Sequence, residues 1–321
     1  MDLIYMNSSK EDVGVIQDYV LDLAFGSDEN NFECVVDLEN HCCEAGFFLY
    51  FEDSEYGGIV DAITVDTDAN EVTYSGRTWH GILDSKVLEP DANQDYLVCT
   101  GEANAVIGTL LSRMGLTTLF EASEEVSEIT ISNYKMNRYI SGYAGIRKML
   151  KAFGAKLQIS FHQGMVVLSA CPLVNYAEDE QFDTDQIDFE IKKVSNPINH
   201  VICLGAGDLS ARTVIHLYAD STGTISHTQT ITGIDEVTAT YDYPNAESDE
   251  ELEKGGTEMI QDSWNQDEIQ FSFNSNDEVY DIGDVVGALE RITNISVNAE
   301  ITKKIVTINN NQITISYKVG E

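Results

Sequence analysis

Along the first hundred residues apolar side chains alternate with polar ones or gather in short runs, as in Phe47 to Phe51 and Ile59 to Val65, with Gly, Asn and Asp between the runs. A period of two sends successive side chains to opposite faces of an extended chain, so Met1 to about Val98 predicts β-structure. Asp66 to Asn70 has the composition of a turn and predicts a hairpin joining Ile63-Thr64-Val65 to Val72-Thr73-Tyr74. The period then changes. Ala103, Val106, Ile107, Leu110, Leu111 and Met114 recur at steps of three and four, ending at Gly115, a residue suited to a left-handed C-cap. A second helix is predicted from about Gly142 to Phe153, with Ile146, Met149, Leu150 and Phe153 on one face and Gly154 closing it. A hairpin follows, Leu157 to Phe161 and Met165 to Leu168 around His162-Gln163-Gly164.

Beyond an acidic stretch holding Glu178, Asp179, Glu180, Asp183 and Asp185, the β pattern resumes near Phe189 and includes His200 to Leu204 and Val214 to Leu217. One helix interrupts it, Ser248 to Gln261, with Asp249, Glu250, Glu251 and Glu253 placed to meet the positive end of its dipole. Strands then run from Ile269 onward and finish with a hairpin, Lys304 to Ile308 and Ile313 to Val319, around Asn309-Asn310-Asn311. Gly57-Gly58-Ile59-Val60-Asp61-Ala62-Ile63 is echoed by Gly283-Asp284-Val285-Val286-Gly287-Ala288-Leu289, each after an aromatic strand and before a hairpin. Chance recurrence and duplication both account for so short a pattern. The fold class expected is α+β, mainly β. Two related β-barrel domains, residues 1–98 and 189–321, flank a small helix-hairpin α/β domain, residues 99–188, and the second barrel carries a helical insertion near 245–265.

Composition changes this picture in one respect. The chain is long enough for two or three units with real cores, and 43% hydrophobic residues fit a globular protein. Against 18 Lys and Arg stand 55 Asp and Glu, a net charge of −37, which repels a phosphate backbone or an anionic membrane. A solubilising or salt-adapted surface explains that excess, and so does a negatively charged lumen past which a polyanion slides without sticking. Cys34, Cys42, Cys43, Cys99, Cys171 and Cys203 form no C-x-x-C pair, so reduced and mostly buried thiols are expected. Met1 to Asp12 lacks a basic start and apolar stretch, and no run approaches the ~18 apolar residues of a membrane span. A chain synthesised in the cytoplasm, without membrane insertion, is the expectation.

Candidate chemistry is sparse. His41-Cys42-Cys43 is the only dense His/Cys cluster, and adjacent ligands do not readily close a tetrahedral site. Asp66-Thr67-Asp68-Ala69-Asn70 begins like a calcium loop but lacks the Gly and Glu that complete one, so a polar turn is favoured. Gly205-Ala206-Gly207-Asp208 lacks the third glycine of a dinucleotide loop and precedes β-structure, which makes it a tight turn. Gly255-Gly256 lacks a following Lys-Ser/Thr and is read as a break in its helix. His41, His80, His162, His200, His216 and His227 are scattered, and no Gly-x-Ser-x-Gly elbow or His-Glu-x-x-His helix occurs. Trp79 and Trp264 are expected as core anchors rather than sugar platforms. No catalytic, cofactor or metal residue is assigned, and the chain is not expected to be an enzyme.

Three segments carry a family resemblance: Ser75 to Leu83, reading Ser-Gly-Arg-Thr-Trp-His-Gly-Ile-Leu; Asn199 to Gly205 with Arg212-Thr213-Val214 downstream; and Tyr280 to Val286. In that order, with barrel, α/β unit and barrel between them, the chain resembles the hub proteins of phage tails and related injection machines, including the Gp-thirty-seven-like tail proteins of siphoviruses. Gly76, Trp79, Gly81, Asn199, Gly205, Arg212, Gly283 and Asp284 are the structural motif residues this implies.

The resemblance implies a baseplate-hub subunit at the tail tip of a phage or phage-tail-like bacteriocin particle. It implies a homotrimer whose two barrels per subunit make a pseudo-sixfold ring around an ejection channel. Its partners would be the tail-tube or distal tail protein, a spike or tail-tip protein and the tape-measure protein, with DNA met only in passage. Three copies would carry three times −37, or −111, so subunit contacts would need apolar or neutral surface or bound cations. The sequence ends directly after its last expected strand, so no wall-degrading module is expected. The competing readings are a carbohydrate-active or wall-binding tail-tip module, marked by a solvent-facing Trp beside paired acids, and an acidic enzyme, marked by a closed pocket with a perturbed carboxylate.

Overall fold

The computed structural model describes residues 2–178, 181–183, 189–192, 196–246, 248–264, 268–274, 280–290, 292–309 and 312–319. The first β segment holds β1 (Leu3–Met6), β2 (Asp12–Ile16), β3 (Tyr19–Gly26), β4 (Asn31–Asp37), β5 (Phe48–Tyr50), β6 (Gly57–Asp66) and β7 (Glu71–Thr78). The predicted hairpin is β6–β7, with Val65 opposite Val72. Its turn is held by the Asp66 carboxylate, which accepts from the N–H groups of Asp68 and Ala69, so the acid ligates its own backbone.

The α/β segment runs through α1 (Trp79–Asp84), β8 (Val87–Leu88), β9 (Val98–Glu102), α2 (Ala103–Arg113), β10 (Phe120–Ala122), β11 (Thr130–Lys135), β12 (Ile140–Ser141), α3 (Gly142–Lys151), β13 (Ala155–His162) and β14 (Met165–Pro172). Gly115 and Gly154 both adopt φ +70 just past α2 and α3, the left-handed termination their sequence predicts. Helix α1 is a departure from the expected all-β stretch to residue 98. The Thr78 hydroxyl caps it by accepting from the Gly81 N–H, and its six residues are too few to display a period.

The last segment holds β15 (Gln181–Asp183), β16 (Phe189–Lys192), β17 (His200–Leu204), β18 (Val214–Ala219), β19 (Ile225–Ser226), β20 (Thr238–Asp242), α4 (Asp249–Trp264), β21 (Glu268–Asn274), β22 (Val285–Glu290), β23 (Ile295–Asn309) and β24 (Gln312–Val319). Asp179, Glu180 and Asp185 of the acidic stretch, and Asn310 and Asn311 of the last turn, lie outside the described residues.

The α+β, mainly β class holds, and the two β segments share one sheet. In order β2-β1-β5-β6-β7-β4-β3-β23-β24-β21-β16, with β22 and β15 branching from β23, the sheet counts 13 strands and closes into no barrel among the described residues. The join is the antiparallel pairing of β3 with β23, from Gly26 opposite Lys303 to Val20 opposite Asn309. Either strand left as an edge would present unpaired N–H and C=O groups. Under the sheet, Leu21, Leu23, Phe25, Phe32 and Tyr74 from the first segment share one core with Ile301, Val306, Ile315 and Tyr317 from the last.

A second core lies between α1–α3 and the three-stranded sheet β10-β14-β13, and Met6, Phe48 and Tyr50 reach into it. The third is small: β19-β18-β17-β20 form a separate sheet covered by α4, around Val201, Cys203, Leu217, Leu252 and Ile260. Thus the helix expected near 245–265 is one layer of a larger inserted unit. Gly255-Gly256 does not break it. A Cβ on Gly255 would lie 2.3 Å from the Tyr241 ring, and one on Gly256 would lie 2.3 Å from Cys203 Sγ. The two glycines let the helix backbone sit directly on the sheet, which a local sequence pattern does not reveal.

Candidate functional site

The eight motif residues fall at places where backbones approach closely or segments cross. Gly76 on β7 faces β6 at its bulge, where an added Cβ would meet the Ile59 carbonyl oxygen at 1.9 Å. Trp79, with no exposed surface, begins α1 and stacks on Phe161 of β13 at 5.4 Å between ring centroids. Gly81 lets α1 rest on the β3–β4 turn, where a Cβ would come within 2.1 Å of the Asn30 carbonyl oxygen. In the inserted unit Asn199 is buried, donates from Nδ2 to the Asp235 carbonyl and accepts the Val237 N–H. Arg212 Nε donates to the Gly205 carbonyl while its guanidinium pairs with Asp242, which fixes the β17–β18 turn. These residues are therefore divided between the first β segment with α1, and the inserted unit.

Gly283 and Asp284 belong to a third place, the seam between the last β segment and the α/β unit. Asp284 has no exposed surface, and both of its oxygens accept from Lys156 Nζ on β13, at 2.9 and 2.7 Å. Asp281 adds a contact at 2.7 Å. Burial pulls the Lys156 pKa down, but the two carboxylates outweigh it and leave it raised, so the ammonium stays charged. Asp284 also accepts the Val174 N–H, and Gly283, at φ +103, turns the chain against Lys156.

Two further seams use lysines from β23. Lys304, 1% exposed, reaches Glu55 at 2.5 Å and lies 5.6 Å from the centre of the Tyr56 ring. Burial opposes its charge, Glu55 restores it, and the pKa ends well above the ordinary lysine value. Lys303 pairs with Glu29 at 2.5 Å. His80, buried beside this group and stacked on Phe25 at 4.6 Å, has its pKa lowered to about 3 by burial and by the charges of Lys304 and Arg147, so it is neutral. In a chain with 18 cations, those at the seams fasten segments remote in sequence.

Between the α/β unit, the last β segment and Trp264 of α4 opens a cleft of about 540 Å³, lined by Arg147, Lys148, Lys151 and Lys156 with Glu300 as its only acid among the described residues. Glu300 contacts Lys151 at 2.5 Å and Arg147 at 3.9 Å, whereas Lys148 is exposed and has no carboxylate partner among the described residues. A plain signal marks this region. Residues 129–177 hold six Lys or Arg and no Asp or Glu, so the other 272 residues carry all 55 acids against 12 bases. The total of −37 hides that island.

The remaining candidates behave as polar structure. Tyr74 Oη accepts the N–H groups of Cys42 and Cys43 and bonds His41 Nδ1, so the His/Cys cluster cradles a buried phenol. Cys34, Cys43, Cys99 and Cys203 are buried, all six cysteines being free. Gly205 to Asp208 forms the expected turn, with Gly207 at φ +100. Trp264 donates from Nε1 to the Ile198 carbonyl, an anchor for the inserted unit. Glu52, Asp53 and His162 converge on an exposed corner where the β5–β6 loop meets the β13–β14 hairpin, a grouping that sequence separation conceals.

No protein-family model matches the chain, and no curated protein matches it in sequence. Its fold is shared along nearly its whole length with solved tail proteins. The tail protein from Neisseria meningitidis MC58 aligns over 100% of this chain and 96% of its own, at 11% identity and TM-score 0.55. The 43 kDa tail protein of prophage MuSo2 from Shewanella oneidensis aligns over 99% and 97%, at 9% identity and TM-score 0.62. Prophage tail protein gp18 from Listeria monocytogenes EGD-e aligns over 99% and 94%, at 11% identity and TM-score 0.54. At such identities the likeness establishes a common fold.

Proposed function

We propose that the chain is a structural subunit of a phage-type tail, a baseplate hub that assembles as a homotrimer and joins the tail tube to the spike or tail tip. The observation carrying this reading is the end-to-end fold likeness to three tail proteins, whose alignments leave almost nothing of either chain over. The internal echo supports the hub geometry. Its two copies lie on β6 and β22, each the first strand of an antiparallel hairpin, with β7 and β23 respectively. Val60 and Val286, equivalent within the echo, are both buried in the shared core. Residues 1–98 and 189–321 then act as related modules around the 99–188 unit, which is what a threefold ring with pseudo-sixfold faces requires.

In such a ring an acidic lumen avoids retaining passing DNA, since phosphate binding rests on cations that this chain largely lacks. Neighbours would be the tube or distal tail protein on one side and the spike on the other, in a tail particle. The test is to purify tail particles from the producing cell and identify their proteins by mass, with imaging of the tip. The expected result is this chain in the particle at three copies per tip, in a ring with sixfold-like density. Its absence from intact particles would overturn the reading.

A further inference from the structure

We propose that the cationic cleft holding Arg147, Lys148 and Lys151 is the seat of the acidic surface of a second copy of this chain. The inference rests on the tail-subunit reading for the reason that copies meet. The cleft itself is a cavity and a charge anomaly together. Lys156 at its base is outweighed by Asp281 and Asp284, one charge against two, and Glu300 offsets one of the remaining three cations. The group of four cations and three acids is left with one net positive charge, placed at the rim on a stretch with no acid between Glu128 and Glu178.

Outside this stretch 55 acids stand against 12 bases, so two copies brought together there would meet with like charge. Each copy carries 55 acids against 18 bases, so a contact between copies is favoured where the charges are opposite. The acid-free stretch supplies such a place. The cleft volume falls in the range of roughly 300–1,000 Å³ that encloses a small ligand, room for a few side chains rather than a domain. Trp264 at one wall offers an apolar surface beside the ammonium groups. Because the cleft and the surface it takes are different patches, the contact is heterologous. Repeated with a closing rotation it generates a ring, whereas a self-complementary contact would stop at a pair.

The test uses the whole chain, ordinary and isotope-labelled copies mixed at about 0.15 M salt, where the screening length is about 8 Å. A zero-length carbodiimide cross-linker joins only amines and carboxylates in contact. The expected products link Lys148 or Lys151 of one copy to an Asp or Glu of the other. In sedimentation, the double variant Lys148→Glu, Lys151→Glu should self-associate about tenfold more weakly or worse, the scale of replacing attractive rim charges by repulsive ones. The neutral pair Lys148→Gln, Lys151→Gln should fall between, and Lys254→Glu, an exposed lysine of α4, should match the parent.

Unchanged association of a folded double variant would sink the proposal, as would a monomeric parent or mixed cross-links that avoid α3. Loss of binding to a short DNA duplex without loss of self-association would overturn it too, by assigning the cleft to a polyanion. A monomer that still enters tail particles defeats this inference and leaves the tail reading intact, whereas absence from particles strikes the tail reading itself.

Discussion

The shared sheet and the inserted unit solve the same problem, covering a β layer, with opposite means. In the sheet, Thr307 Oγ1 donates to Asp22 and Lys304 reaches Glu55, contacts spanning 285 and 249 residues of sequence. In the inserted unit, β17 to α4 are consecutive, and one helix closes the core over Val201, Cys203 and Leu217. The sheet's two halves are therefore joined across distant segments, by the β3–β23 pairing and the apolar core they share, with the buried Lys304 as a polar latch between them. The insertion depends on close helix contact at Gly255 and Gly256. A small core with local contacts opens at a lower free energy than one tied across the whole chain. Amide exchange is expected to release β17–β20 and α4 before β3 and β23.

The largest effect expected is on the latch. Glu55→Ala leaves Lys304 charged in the core and should cost about 3–5 kcal/mol in urea unfolding, whereas Lys304→Met, which keeps the stem, should cost far less. Equal losses in both variants would mean that the latch contributes packing alone. In the insertion, Gly256→Ala should cost about 1–3 kcal/mol by forcing α4 away from Cys203. Its exchange signature should stay within residues 198–264. Spread into β3 would show that the two regions open together.

The sheet should also respond to acid. His80 is neutral when folded, with a pKa near 3, against an unfolded value of about 6.5. Between these values the unfolded chain binds the extra proton, so stability is retained above about pH 6.5 and falls by about 1.4 kcal/mol per pH unit below it, levelling near 3. His80→Phe, which keeps the stack on Phe25, should flatten this limb in unfolding midpoints measured from pH 7 to 4. The smallest change is expected at the exposed pair of Asp61 and Arg77, 2.7 Å apart, where Asp61→Asn should cost no more than about 1 kcal/mol in the same urea assay.

What could be read from sequence was what depends on neighbours along the chain. Gly115, Gly154, the Asp66 turn and the Gln163-Gly164 turn each carry their own backbone reason, and each stands where expected. The joining of β3 to β23 had no such signal, because either strand reads equally well as a member of a separate barrel. No local pattern distinguishes Lys156 or Lys304 from other lysines, and only the topology sets them opposite Asp284 and Glu55. The Lys156–Asp284 seam left a trace in the Gly283-Asp284 motif, though its partner was not legible. The acid-free stretch was legible throughout and was obscured only by averaging charge over the whole chain.

The β3–β23 pairing also sets a timetable for synthesis. When Gly26 leaves the ribosome, residues 303–309, which will cover that edge, have not been made. At about 5–20 residues per second the wait is on the order of tens of seconds. Throughout it the nascent chain carries an uncovered strand edge that pairs readily with neighbouring chains. Asp22, beside this edge and later bonded to Thr307, is during that interval a charge that discourages wrong partners.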